Sequence, residues 1–532
     1  MTAFATVMYP LVSAVLASFA LPNEVFEWGV PFLGLVALVP LYLALAEKGS
    51  WKRAFVVGAL FGGMAHGLSS YWLWFFKDFR FWTLGTSILA YMVVYGFVGM
   101  YLYGAIRRTG LLRPLVFAAV WTVFEWGKSN GFLGYPWGLL PYSWNTVAPA
   151  VQIAESTGVY GLSFALAWFG AALAETVRPG VRPRSVLESD PLRTTTPRIE
   201  AAGHLVVATT LLLAITAWGF VALERPRVAD RHIQAVMVQM NIDPWEGSEA
   251  GNLESSIQLA ADAIGRAGST PDMILFSETA LRRPWNGFRK FFERTPSSYP
   301  LVHFLRDTGS WLFTGAPEIL DYKTYEATNS VLLIDPAGTQ VKSYAKMHPV
   351  PFAEAIPFWD YRPFREFIQN VVGLESGWVM GTERVIFEVP TKAAGLVRFA
   401  APICFEDAFA YLCRDFVNDG AELLVNLTND SWSRTRSAEI QHFVAARFRS
   451  IELRRTLVRS TNGGVSAVVG PDGDILFSMP LFTPMAETVS IPVYTAERTP
   501  YLDYGDWFVA LLAFFLAVVT IILWYGSLRS AG

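Results

Sequence analysis

Long apolar runs fill the first 225 residues, and a different pattern takes over after them. A run of roughly 18 mainly apolar residues is long enough to cross a bilayer as a helix. Seven such runs lie at about 5–22, 28–46, 54–76, 82–105, 111–127, 157–175 and 203–223. An eighth lies near 506–525, where Trp507-Phe508-Val509-Ala510-Leu511-Leu512 opens another unbroken stretch. Between the seventh and the eighth are about 280 residues of ordinary soluble patterning, enough for one globular domain. The pattern predicts a seven-helix transmembrane domain at 1–225, a soluble domain at 226–500 and a C-terminal transmembrane helix within 501–532.

Inside 226–500, short apolar or alternating runs predict strands at 233–239, 273–276, 311–315, 330–334, 396–404 and 423–427. Ala438 to Arg455 reads as a helix with arginines on one side. Val465 to Val469 followed by Pro471-Asp472-Gly473-Asp474 reads as strand, turn, strand. This is an α+β or α/β layered domain with largely buried strands. No repeat of solenoid period is visible.

Composition agrees with a membrane protein. The chain is 53% hydrophobic and 16% charged, against about 25% charged residues in a soluble chain. Mean hydropathy is +0.34. The 19 Trp fit anchoring at the bilayer interface. A net charge of -3 gives no reason to expect a nucleic-acid partner. Basic residues alternate along the loops. Lys48, Lys52 and Arg53, then Arg107, Arg108 and Arg113, then Arg178, Arg182, Arg184, Arg193 and Arg198 mark one side, and only Lys77, Arg80 and Lys128 mark the other. The positive-inside rule places the first set in the cytoplasm, with both termini, and the large domain outside. The first helix reads as an uncleaved signal anchor, because more spans follow it. Residues 176–200, rich in Pro, Arg and Thr, read as a flexible cytoplasmic loop.

Candidate chemistry gathers at three strand ends. Ala401-Pro402-Ile403-Cys404-Phe405-Glu406-Asp407 ends an apolar run on a cysteine. Ile274-Leu275-Phe276-Ser277-Glu278 ends another on a carboxylate, and Tyr344-Ala345-Lys346-Met347-His348 places a lysine in the loop after a third. A thiol with an ordinary pKa near 8.5 is mostly protonated at neutral pH. Glu278 can remove its proton if its own pocket is poorly solvated. Lys346 can hold the thiolate and then an oxyanion, together with a backbone N–H such as that of Phe405. Each residue alone has an ordinary explanation: a buried small hydrophobe, a solvated loop acid, a solvated lysine. The conjunction is what points to acyl transfer through a thioester. Glu354 and Glu406 stand close in sequence to the lysine and the cysteine, either to orient them or as partners in a structural salt bridge. The six histidines have no metal-ligand spacing. His348 and His442 lie in no protease signature, and no nucleotide-binding glycine motif appears. The two cysteines, Cys404 and Cys413, are too few for a disulfide framework. No cofactor is expected. At outer helix ends, Trp72, Trp74 and the Gly134-Tyr135-Pro136-Trp137-Gly138 loop read either as an aromatic belt or as a lipid-facing vestibule.

These residues resemble the bacterial apolipoprotein N-acyltransferase family over nearly the whole chain. The likeness is densest in Asn426-Leu427-Thr428-Asn429-Asp430-Ser431-Trp432, Gln441-His442-Phe443, Arg459-Ser460-Thr461-Asn462-Gly463-Gly464 and Gly470-Pro471-Asp472-Gly473, and it includes the Gly-Tyr-Pro-Trp loop. The soluble part is similar to the nitrilase superfamily, an α-β-β-α sandwich with a Glu–Lys–Cys triad. The resemblance implies Glu278, Lys346 and Cys404 as catalytic residues and Glu354 and Glu406 as support. It implies Phe405, Trp245 and Trp137 as substrate-binding residues. The implied reaction is ping-pong. Cys404 takes an acyl chain from the sn-1 ester of a phospholipid, and the thioester passes it to the α-amino group of a diacylglyceryl-cysteine on an apolipoprotein. The implied setting is the bacterial inner membrane, with the catalytic domain on the periplasmic face. Three departures from the family pattern stand out: Ala353 in Pro351-Phe352-Ala353-Glu354 where glycine is usual, Phe405 where tyrosine is usual, and Ser433 where phenylalanine is usual.

Two other readings use the same residues. One is a membrane-anchored, nitrilase-like amidase that takes water as acceptor. The other is a catalytically silent membrane binding protein. Eight spans exceed what anchoring needs, and an intact Glu278, Lys346 and Cys404 argues against silence.

Overall fold

The computed structural model describes residues 2–76, 80–178, 198–243, 246–351, 353–356, 358–359, 361–372, 377–393 and 395–531. The chain divides into two compact units. Unit 1 comprises 1–225, 435–444 and 504–532, and unit 2 comprises 226–434 and 445–503. Most of the basic loop at 176–200, and Lys77, Phe352 and Trp245, lie outside the described residues.

Unit 1 is helical. Its longer helices are Thr2–Ala20, Trp51–Ser69, Arg80–Arg108, Arg113–Ser129, Tyr160–Val177, Arg198–Leu223 and Trp507–Ala531, and the expected span at 28–46 is two short helices, Pro31–Val36 and Val39–Ala46. Among the described residues, four segments are long and apolar enough to cross a membrane: Phe81–Arg108, Tyr160–Val177, Glu200–Leu223 and Trp507–Tyr525. Thr6–Ala20 and Pro31–Ala46 are apolar but shorter. Helices pack closely where side chains vanish. A Cβ on Gly58 would lie 2.1 Å from the carbonyl oxygen of Tyr95, which is how membrane helices approach backbone to backbone. Glu175 joins three helices, accepting from the Tyr42 hydroxyl at 2.5 Å and pairing with Arg113 at 3.5 Å and Arg178 at 3.4 Å.

Unit 2 contains two six-stranded sheets. The first is ordered β12-β1-β2-β3-β4-β5, from strands β1 (Arg231–Gln239), β2 (Met273–Leu275), β3 (Trp311–Asp321), β4 (Glu326–Ile334), β5 (Gln340–Ala345) and β12 (Met485–Val493). The second is ordered β11-β10-β9-β8-β7-β6, from β6 (Ile386–Thr391), β7 (Gly395–Ala400), β8 (Leu423–Thr428), β9 (Thr456–Thr461), β10 (Ala467–Val469) and β11 (Ile475–Ser478). Each sheet has a parallel core, β1-β2-β3 or β7-β8-β9, flanked by antiparallel strands. Parallel neighbours need crossovers, and crossovers of one hand put their helices on one face of the sheet. The helix Glu249–Ala267 links β1 to β2, and Ala410–Asn418 and Arg436–Leu453 make the links from β7 to β8 and from β8 to β9. The opposite faces meet each other. Phe313 of the first sheet lies 5.0 Å from Phe387 and from Phe399 of the second, ring to ring, and the Ser460 hydroxyl donates to the Leu275 carbonyl at 3.3 Å. The order of layers is therefore helix, sheet, sheet, helix. On the outer face of the first sheet, Val236, Val238 and Ile274 pack against Leu253, Ile257, Trp285 and Leu305.

Most expected strands are present, with differences that have physical reasons. The run at 396–404 stops being a strand at Ala400, and Cys404 begins a short 3-10 turn, Cys404–Ala408. The helix Arg436–Leu453 carries both exposed and buried arginines, and the Arg436 side chain is 59% exposed. Arg449 is 1% exposed and pairs with Glu452 at 3.0 Å. The helix ends two residues earlier than its pattern suggests, because Arg454 takes a left-handed φ of 50°. β5, β6, β9 and β12 carry polar residues at intervals that hide their strand character.

The close approach of β3 to the loop after β2 requires one glycine. A Cβ on Gly315 of β3 would sit 2.6 Å from the Cα of Glu278 and 2.4 Å from the Thr279 nitrogen. Gly315→Ala is therefore expected to destabilise unit 2 by about 1–3 kcal/mol, the usual range for overpacking. Denaturant unfolding of the purified protein checks this, and an unchanged midpoint would show that the two strands separate freely.

Candidate active site

Four chain segments converge at the sheet edges. Glu278 follows β2, in a loop whose Ser277 carbonyl accepts from the Gly315 N–H at 3.2 Å. Lys346 follows β5, its own N–H donating to the Asn329 carbonyl at 2.9 Å. Glu354 comes from the next loop. Cys404 comes from the other sheet, just past β7. It holds φ at 50°, a left-handed value that non-glycine residues rarely adopt. Strain of this kind, held by surrounding structure, concentrates at functional sites. Glu278 is 5% exposed and Lys346 1%, whereas Cys404 is partly exposed. Cys404 and Glu354 are therefore the more exposed members of the group, and Glu278 and Lys346 the buried ones.

The Lys346 ammonium lies 2.8 Å from Glu354 Oε1 and 3.5 Å from Glu278 Oε1. It is the closer counterion of Glu354, which leaves Glu278 less tightly paired. Asn329 on β4 holds the two acids apart in fixed positions. Its Nδ2 donates to Glu278 Oε1 at 2.8 Å and to Glu354 Oε1 at 3.1 Å. The second oxygen of Glu278 accepts the Asn429 N–H at 3.0 Å, and the second oxygen of Glu354 accepts the Val350 N–H at 2.8 Å. Cys404 and Glu278 lie close enough for each to shift the other's pKa.

Burial pushes the Glu278 carboxyl above its ordinary range. Lys346 pulls it back and Glu354 pushes it further up. Burial also raises the Cys404 thiol well above its usual value, as does the Glu278 charge, against a downward pull from Lys346. Burial alone would lower Lys346, but Glu354, Glu278 and Cys404 outweigh it and hold the ammonium well above its ordinary value. The site therefore sets a thiol of raised pKa beside a carboxyl of enhanced basicity and a lysine whose charged form is favoured. That is the combination general-base activation of a sulfur nucleophile requires.

Glu406 stands behind the site and acts as a staple. One oxygen accepts the N–H groups of Met347 and His348, both at 2.8 Å, and the other accepts the Ile403 N–H at 2.7 Å. The Tyr344 hydroxyl reaches both oxygens at 3.0 Å. The acid thus ties the lysine loop to the cysteine turn through hydrogen bonds and not through a salt bridge. Burial pushes its carboxyl up to about 7 against the pull of these donors. Asn426 on β8 supports the same turn, donating to the carbonyls of Pro402 at 2.8 Å and Cys404 at 2.9 Å.

The other expected site residues are placed as follows. Phe405 is buried, its ring 4.8 Å from that of Phe409 and 5.8 Å from that of His348. His348 shares a 3.0 Å hydrogen bond between Nδ1 and the Tyr411 hydroxyl. Burial and Lys346 push its pKa down to about 4, so it is neutral at pH 7. Trp137 belongs to unit 1, where it is 5% exposed. Its ring stacks on Tyr135 at 5.3 Å and lies 5.4 Å from His442, and its carbonyl accepts from Lys128 Nζ at 2.5 Å. Asn329, Asn426, Asn429 and Tyr344 received no role from sequence. The available signal was a polar side chain in the middle of an otherwise buried strand, as in Thr328-Asn329-Ser330. Among the described residues, no group of three or more His, Cys, Asp or Glu is arranged to hold a metal ion.

Comparison with known proteins gives a consistent picture. Residues 13–172 match the family model described as apolipoprotein N-acyltransferase N-terminal domain, and residues 234–501 match the carbon-nitrogen hydrolase model. Apolipoprotein N-acyltransferase 2 of Treponema denticola is 39% identical over 96% of this chain and 96% of its own. The Treponema pallidum protein of the same name is 37% identical over 94% and 92%. The apolipoprotein N-acyltransferase of Borreliella burgdorferi is 29% identical over 96% and 94%. Among solved structures, an amidase variant from Nesterenkonia sp. with an acetamide moiety on its active-site cysteine is 17% identical. It covers 53% of this chain and 97% of its own, with a TM-score of 0.37.

Two outcomes follow from this geometry. Glu406→Gln puts an NH2 group against backbone donors and is expected to cost about 2–4 kcal/mol, since buried donors lose their acceptor. Thermal unfolding of the purified protein measures it. Lys346→Met removes the charge that draws the thiol pKa down, so the pH midpoint for alkylation of Cys404 by iodoacetamide is expected to rise. An unmoved midpoint would remove Lys346 from the electrostatics of the thiol.

Proposed function

The chain belongs to the apolipoprotein N-acyltransferase family, and from that premise we propose how its residues carry the reaction. An acyl chain moves from a phospholipid to Cys404 as a thioester, and then to the α-amino group of the diacylglyceryl-cysteine that begins an apolipoprotein. The single observation that carries the reading is the convergence of the Cys404 thiol, a buried carboxylate of raised basicity and a buried ammonium at the sheet edges.

In the first half-reaction Glu278 takes the thiol proton as Cys404 Sγ attacks the ester carbonyl carbon. The oxyanion that forms is stabilised by the Lys346 ammonium. The bond from carbon to the glycerol oxygen breaks, and Glu278 returns the proton to that oxygen, releasing a lysophospholipid. In the second half-reaction a neutral amine attacks the thioester carbonyl, Glu278 accepts a proton from nitrogen, and the carbon–sulfur bond breaks. The sulfur is reprotonated and an amide remains. Glu354 holds Lys346, Glu406 holds the cysteine turn, and Phe405, Trp245 and Trp137 belong to the substrate-binding surfaces. No cofactor takes part. The protein sits in the bacterial inner membrane with eight helices across it, spanning 1–225 and 501–532, and the catalytic domain at 226–500 faces the periplasm. Four long apolar helices and the alternation of basic loops support this arrangement.

Incubation with phospholipid alone is expected to leave an acyl adduct on Cys404, detectable by mass spectrometry and absent in Cys404→Ser, while Cys413→Ala retains it. Adding a diacylglyceryl peptide is expected to give N-acyl peptide. Free fatty acid as sole product would instead support a hydrolase. The rate of adduct formation is expected to rise with pH on its acid side. Glu278 acts only when deprotonated, and burial raises its pKa, so that limb lies above the ordinary carboxylate range. A limb at or below pH 4.5 would exclude Glu278 as the base.

A further inference from the structure

Behind the reacting groups lies a second, buried charge cluster. Arg459 rises from the middle of β9 and is 0% exposed. Its Nη1 hydrogen-bonds to Asp407 Oδ2, and its Nη2 lies 3.5 Å from Asp430 Oδ2. Asp407 is 0% exposed and Asp430 7%. Hydrophobic residues of similar volume would fill this space without desolvating three charges, so stability alone does not account for the cluster.

The positions of the two acids suggest what it does. Asp407 is in the 3-10 turn that begins with Cys404. Asp430 follows Asn429, whose N–H donates to Glu278 Oε2 at 3.0 Å. One guanidinium therefore grips both walls of the site, the turn that carries the nucleophile and the loop that supplies a hydrogen bond to the base. We propose that Arg459, bridging Asp407 and Asp430, is a positioning residue that sets the Cys404 turn against the Asn429–Glu278 hydrogen bond. This rests on the acyl-transfer reading above for the roles of Glu278 and Cys404.

The electrostatics agree in sign. Glu278 is faced by Lys346, Glu354, Asn329 and Cys404, and Cys404 by Glu278, Lys346, Asp430 and Thr428. Asp430 is one of the charges that keep the thiol protonated at rest. Loosening Asp430 removes a negative charge from the thiol and also frees the Asn429 N–H from the base. A carboxylate that loses a donor becomes harder to ionise.

The test uses the full-length protein in detergent or nanodiscs, with phospholipid as acyl donor, and the variants Asp430→Asn and Arg459→Lys. In Asp430→Asn the acid limb of Cys404 acylation is expected to move to higher pH, while the midpoint for iodoacetamide alkylation of the same thiol moves lower. A purely structural role predicts no such opposed pair. Acylation at pH 7 is expected to fall roughly 10- to 100-fold in both variants, the scale of a 1 Å misplacement, with phospholipid KM within about twofold. Folded variants with the wild-type rate and both wild-type profiles would overturn the proposal. Should Arg459→Lys fail to fold, Asp430→Asn decides alone, because asparagine keeps the shape of aspartate. If the wild-type protein forms no acyl adduct on Cys404, the acyl-transfer reading fails. A wild-type adduct with unmoved variants sinks only the positioning role.

Discussion

The arrangement of this site depends on one buried cation. Lys346, 1% exposed, lies 2.8 Å from Glu354 and 3.5 Å from Glu278. Two carboxylates this close could not both stay ionised in a poorly solvated pocket without it. With it, the pocket holds a base beside a thiol. The closer pairing to Glu354 matters because it spares Glu278 from being fully neutralised by its neighbour. Asn329, donating to both acids, fixes that asymmetry.

Glu278 and Lys346 follow strands of the first sheet and Cys404 a strand of the second. Sandwich packing brings the sheets together, but packing of apolar faces is not directional enough to place a sulfur on a carboxylate. The directional work falls to Glu406, Asn426 and Arg459. Glu406 ties residues 347 and 348 to residue 403, and Asn426 holds the carbonyls on either side of Ile403. Arg459 bridges the cysteine turn to the loop beyond β8. Cys404 can keep a left-handed φ of 50° because these contacts over-determine its turn.

Phe405 illustrates how a departure in sequence is absorbed. A tyrosine there would bring a hydroxyl into a space now occupied by phenyl and imidazole rings. In this chain Phe405 packs with Phe409 and His348, and His348 uses its Nδ1 on Tyr411. Within this aromatic cluster the Tyr411 hydroxyl shares its hydrogen bond with His348.

Apolar run length, the change of period after residue 225 and the position of Glu278, Lys346 and Cys404 at strand ends could all be read along the chain. They are local properties, because a membrane helix, a buried strand and a strand-end polar residue each leave a mark within about twenty residues. What no local pattern carries is pairing at a distance. The closeness of Lys346 to Glu354, the bridging by Asn329, the hydrogen bonds by which Glu406 ties two loops, and the meeting of Asp407 and Asp430 on Arg459 arise from which strand lies beside which. Strand order is set by crossovers and by the mating of two sheets, so residues more than fifty apart become neighbours with no trace in their spacing. The chain alone determined which groups were available for chemistry. The tertiary structure decided which of them share a proton and which merely hold the others still, because hydrogen bonds and desolvation act over ångströms of space and not along the sequence.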